Sequence, residues 1–104
     1  MTGIIYCNRL EAGIEQFKKI TDDYKKIGIE IVGKIKTTSS TVDVTLSNGD
    51  YWMVVKASES AKGRSCNVAY IDRMIDEKLV DEVIMPTIKA APYQAYRYYN
   101  WSNW

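Results

Sequence analysis

The apolar positions of this chain follow two periods, and the changes between them outline the elements. Ile4 to Cys7 is a short unbroken apolar run, read as a strand. From Leu10 the spacing becomes helical: Leu10, Ile14, Phe17, Ile20, Tyr24 and Ile27 recur at steps of three or four, while Lys18, Lys19, Asp22, Lys25 and Lys26 fall largely elsewhere. Asn8 with Glu11 three positions later reads as a capping box that opens this helix. Lys25 and Lys26 suit its carbonyl end, and Gly28 can take the left-handed conformation that stops it.

From Ile29 the period is two. Ile29, Ile31, Gly33 and Ile35 share one face, and Val42, Val44 and Leu46 alternate with Asp43, Thr45 and Ser47, so two strands are predicted with Thr37 to Thr41 as their polar link. Asn48-Gly49 signals a hairpin, because both positions accept positive φ, and Tyr51 to Lys56 returns antiparallel. A polar loop, Ser58 to Ser65, precedes another strand, Cys66 to Ile71, closed by Asp72. Ile75, Leu79, Val80, Val83 and Ile84 then predict a second, shorter helix that Pro86 terminates. The pattern as a whole predicts an α+β fold: a twisted, mainly antiparallel sheet around the Asn48-Gly49 hairpin, one long N-terminal helix on one face, one short C-terminal helix nearby, and a tail over residues 91–104.

Composition narrows the function. At 104 residues and 46% hydrophobic content the chain is read as one domain, 1–104, with an ordinary core. Lys and Arg number 14 against 13 for Asp and Glu, so there is no global pull towards nucleic acid or membrane and any basic site is local. No apolar run reaches the roughly 18 residues of a membrane span, and Met-Thr-Gly-Ile-Ile-Tyr lacks the segments of a signal peptide, so a cytoplasmic protein is expected. Cys7 and Cys66 suit a reducing compartment. With no histidine and no metal-ligand companions for the cysteines, zinc hydrolysis and His-assisted nucleophilic catalysis lack their usual parts. A non-enzymatic protein without cofactor is expected.

What remains is binding chemistry. Residues 93–104 hold six of the twelve aromatic side chains, set around Arg97, and flat amphipathic rings beside a guanidinium serve to stack on a base, cover a ligand or dock on another subunit. The loop Ser58 to Ser65 offers Lys62 and Arg64 to a phosphate. Asn67 and Asp72 are candidates for polar recognition of base or ribose. Tyr96, Tyr98 and Trp101 with Arg97 are candidates for stacking or closure. Lys62-Gly63-Arg64 is no Walker A loop, because the glycine is followed by arginine and then a strand.

The segment Asn67-Val68-Ala69-Tyr70-Ile71-Asp72-Arg73, read with Asn48-Gly49, Ala57 and Ala61-Lys62-Gly63-Arg64, resembles the Walker B half of RecA-like ATPase engines, including phage packaging terminases. The likeness covers about the middle third of the chain. It implies Asp72 in the place of the magnesium-binding acid, with Arg73 where those engines carry a catalytic glutamate, and it brings no phosphate loop. The pattern of Arg64, Asn67, Tyr70, Asp72 and an Ala-Pro-Tyr-x-Ala-Tyr ending is also similar to small bacteriophage-encoded proteins. Among these, the immune-evasion sponges of the Thoeris and CBASS anti-defence type imply capture of a cyclic nucleotide or cyclic ADP-ribose signal in the host cytoplasm.

The preferred expectation is therefore non-catalytic sequestration of a nucleotide-like small molecule by a homodimer or higher homo-oligomer, with part of the tail in its interface. A protein-binding inhibitor or assembly module that uses the aromatic tail is the alternative. So is a single-stranded nucleic-acid binder, which the near-neutral charge disfavours.

Overall fold

The computed structural model describes residues 1–38, 41–58, 64–89 and 95–100, with 34–38 as backbone only. Six strands form one sheet: Thr2–Cys7 (β1), Ile31–Thr38 (β2), Thr41–Leu46 (β3), Tyr51–Lys56 (β4), Val68–Asp72 (β5) and Ala95–Tyr99 (β6), in the spatial order β2-β3-β4-β1-β5-β6. The fold is α+β, but the sheet is mixed. β2, β3 and β4 pair antiparallel, whereas β1 is parallel to both β4 and β5, and β6 is parallel to β5.

The expectation of a mainly antiparallel sheet fails at β1. Ile4, Ile5, Tyr6 and Cys7 are all fully buried, which is the condition of a central strand covered on both faces, and such strands read as continuous apolar runs. Ile5 and Cys7 face one core with Val44, Trp52 and Val54; Ile4 and Tyr6 face the other with Ile71, Val83 and Ile84. Within the segment 91–104, Ala95–Tyr99 forms β6 and completes the parallel half of the sheet.

The first core is roofed by the helix Leu10–Lys26 (α1), which buries Ala12, Gly13, Phe17, Ile20 and Thr21. Gly13 allows this packing: a Cβ there would lie 2.5 Å from Val54 Cγ1 and 2.9 Å from Cys7 Sγ, so the helix backbone rests on the sheet where no side chain fits. At its C-terminal end the Gly28 N–H donates to Lys25 O and the Ile29 N–H to Tyr24 O, a Schellman pair made possible by φ +83° at Gly28. Ile27, assigned by its spacing to the apolar stripe, is instead exposed where the helix ends.

The expected capping box does not form. The helix is preceded by Arg9 in an extended conformation with no side-chain cap, because the Asn8 N–H is already committed to Asp72 and holds Asn8 to the strand exit. The hairpin after β3 is present, with positive φ at Gly49 alone. Its Asn48 Oδ1 accepts the Asp50 N–H.

The second core lies under the segment between β5 and β6. In place of one short helix there are three kinds of turn: an α turn Glu77–Leu79 (α2), a π turn Val80–Ile84 and a 3-10 turn Met85–Thr87. Asp76 caps the start through the Lys78 N–H. The wide turn followed by a tight one at Pro86 carries Val80, Val83, Ile84 and Ile88 onto the same sheet face. Thr87 ties the end down, its Oγ1 donating to Ile84 O at 2.6 Å and lying 2.8 Å from the buried Tyr6 hydroxyl. Among the described residues no helix is long and apolar enough to cross a membrane.

Candidate functional site

The parallel half of the sheet sets where a ligand can approach. β1 is followed by α1 on one face, while its neighbour β5 is followed by the α2 segment on the other. Adjacent parallel strands whose connections leave to opposite faces open a crevice beyond their carboxyl ends, the usual binding position in open α/β sheets.

The four parallel strands are stitched together at this edge. The Ala57 N–H donates to Cys7 O at 2.8 Å, the Asn8 N–H to Asp72 Oδ2 at 3.1 Å, and the Arg73 N–H to Tyr99 O at 3.0 Å. Asp72 is the central tie. It is 2% exposed, and its Oδ1 accepts the Met74 N–H at 2.9 Å, so each carboxylate oxygen holds a backbone amide. The residue matched by resemblance to a magnesium-binding acid is thus engaged in joining β1 to β5. Tyr99 closes the edge from the α1 side, its hydroxyl donating to Tyr6 O at 2.9 Å. Burial, followed by the nearby Cys7 and Asp72, raises the Tyr99 pKa far above its ordinary value.

Three parallel strands bring a cation to this edge. Lys56 ends β4 opposite Cys7, Arg9 follows β1, and Arg73 follows β5. Strands about 4.8 Å apart put their exits within roughly 10 Å of one another. Lys56 shares the face of Cys7, the face that α1 covers. Here the Leu10 and Glu11 amides open the helix with no side-chain cap, which suits an anion. Arg9 meets Glu11 at 3.7 Å with both side chains largely in solvent, a pairing of little strength. Arg73 belongs to the other face. Its guanidinium lies 5.2 Å from the centre of the Tyr98 ring, and together they line a hollow of about 250 Å³ with Ile75, Glu77 and Val80.

Cys7 sits beneath the edge but is no nucleophile. Its Sγ donates to Val55 O, and burial pushes its pKa from 9.0 up to about 12.

The expected site residues separate into two groups. Asp72, paired with Tyr99, and Tyr98, paired with Ile71, both lie near the carboxyl edge, and Tyr96 and Arg97 are farther back along β6 and exposed. Asn67 belongs to the opposite end of β5, roughly 17 Å from Asp72 by strand rise, and Arg64 comes before it in the chain. Asn67 is engaged there: its Oδ1 accepts the Thr2 N–H at 2.8 Å and its own N–H donates to Thr2 O. Arg64 reaches over β4, its Nη1 lying 3.8 Å from Met53 Sδ. Lys62 and Trp101 lie outside the described residues. Asn8, Arg9 and Lys56 were not among the expected site residues; the unbroken apolar run Ile4 to Cys7 is the signal that marks a central parallel strand and so points to its exit.

A second hollow, about 240 Å³, lies under the far end of α1 between Ile20, Tyr24, Ile27, Trp52 and Tyr70, with Asp23 at its side. There the buried Trp52 indole N–H has no hydrogen-bond partner among the described residues. Among the described residues no group of three or more Cys, Asp or Glu is placed to hold a metal ion. Comparison with protein-family models, curated proteins and solved structures finds no match for the chain in any of the three.

Proposed function

We propose that the protein captures a phosphorylated, base-containing small molecule at the carboxyl edge of its parallel strands and holds it without turnover. The observation that carries this reading is that neighbouring strand exits carry Lys56, Arg9 and Arg73 to the carboxyl edge, beside the uncapped amino end of α1. The phosphate takes the α1 side, where Lys56, Arg9 and the Leu10 and Glu11 amides provide charge and donors. The base takes the other side, in the hollow lined by Arg73, whose guanidinium lies over the Tyr98 ring, with Ile75 and Val80 as an apolar floor. The π turn that supplies Val80 fits this assignment, since such turns are frequent at functional sites.

Capture is favoured over turnover because the buried carboxylate of the crevice, Asp72, has both oxygens engaged by backbone amides. In this reading the ligand is a nucleotide-derived signal of the cyclic nucleotide or cyclic ADP-ribose kind, and its sequestration is the activity, as in phage evasion of bacterial immunity. The test is a melting-temperature panel of cyclic dinucleotides, cyclic trinucleotides and cyclic ADP-ribose isomers, followed by heating the complex and analysing what is released. One member should raise the melting temperature with concentration and come off unchanged. A chemically altered product would make the protein an enzyme, and no shift with any member would remove the reading.

A further inference from the structure

The two edges of the sheet are built differently. β2, at one end, has register shifts between Ile31 and Gly33 and between Ile35 and Thr38, and its sequence carries Lys34 and Lys36. Irregular register and lysines are how edge strands avoid pairing with another chain. β6, at the other end, keeps one such device, the exposed charge of Arg97 at its centre. It follows β5 without a shift from Val68↔Ala95 to Asp72↔Tyr99, contains neither lysine nor proline, and presents Tyr96 and Tyr98 at 42% and 43% exposure. Among the described residues nothing pairs with its outer edge.

We propose that β6 pairs antiparallel with β6 of a second copy of this chain, about a two-fold axis at Arg97. Centring on Arg97 is the register that uses all five residues of the strand. It sets Tyr96 of each copy opposite Tyr98 of the other, so two aromatic cross-strand pairs form on the face of the α2 segment. Tyr96 and Tyr98 already meet edge to face at 6.0 Å and 88° within one chain, so the four rings become one cluster. The two Arg97 side chains face each other across the axis, a like-charge contact that weakens association at low salt. Pairing an edge with its own copy consumes both edges and closes at two, and β2 is defended against further growth.

Single-cysteine variants test the register, since the native Cys7 and Cys66 are buried. Arg97→Cys sits on the axis, where opposed Cα atoms about 4.5 to 5.5 Å apart are within disulfide reach, and should cross-link with itself under mild oxidation. Tyr96→Cys should cross-link poorly alone and well when mixed with Tyr98→Cys, and Val32→Cys on the opposite edge should not. In sedimentation experiments over roughly 1 μM to 1 mM the unmodified protein should pass from monomer to dimer, and Arg97→Thr should dimerise several-fold more tightly at low salt. A monomer throughout this range, a dimer that cross-links equally well through Val32→Cys, or one weakened by Arg97→Thr would overturn the proposal.

Discussion

Asp72 shows how one side chain can fix two strand exits. Replacing it with alanine strands the amides of Asn8 and Met74 without acceptors, and Asp72→Ala should lose about 2–4 kcal/mol of stability. Asp72→Asn keeps one carbonyl acceptor and should lose about half as much. Urea unfolding of the two variants checks both figures, and a cost near zero would mean the carboxylate is not the tie described. The position of Asp72 at the end of an apolar strand was legible in the sequence; its partners were not, because Asn8 is 64 residues away and nothing local announces the contact. Asn67 is similar. Its side chain reads as a free polar group, and only the parallel neighbour β1 shows that it holds Thr2.

At the scale of elements, α1 was legible almost in full, because a helical stripe and a glycine stop are local signals. Its opening was misread for a non-local reason: Asn8 had the chemistry of a cap, and Asp72 took its amide instead. β1 and β6 were the harder elements. Parallel pairing has no tight turn to mark it, and the tyrosines of β6 suit a strand edge as well as a tail. The uncapped opening of α1 leads to a prediction about binding. Glu11 is the acidic group in its first turn, close to where a bound phosphate would lie. Glu11→Gln removes that competing charge and should tighten nucleotide binding about two- to fivefold, measured by calorimetry at low salt. Unchanged affinity would place the phosphate elsewhere.

For the whole molecule, the two cores around β1 govern the response to alkali. Burial raises Cys7 from 9.0 and Tyr6 from 10.0 to about 12 each, and raises Tyr99 as well. In the unfolded chain these groups lose their protons near pH 9 to 10, while the folded protein retains them. Their contribution to stability is therefore intact below about pH 9 and is lost as the pH climbs towards 12. The urea midpoint should fall steadily across that window, and Cys7→Ala should shallow the fall.

The central claim is that the carboxyl edge of the parallel strands receives the anion. Amide NMR during titration with the nucleotide that gives the largest melting shift tests it directly. Resonances of Asn8 to Ala12, Ala57 and Arg73 should move together and saturate, while Asn67, at the other end of β5, stays still. Shifts centred on Asn67 and Arg64, or saturation with the Asn8 to Ala12 amides unmoved, would contradict it.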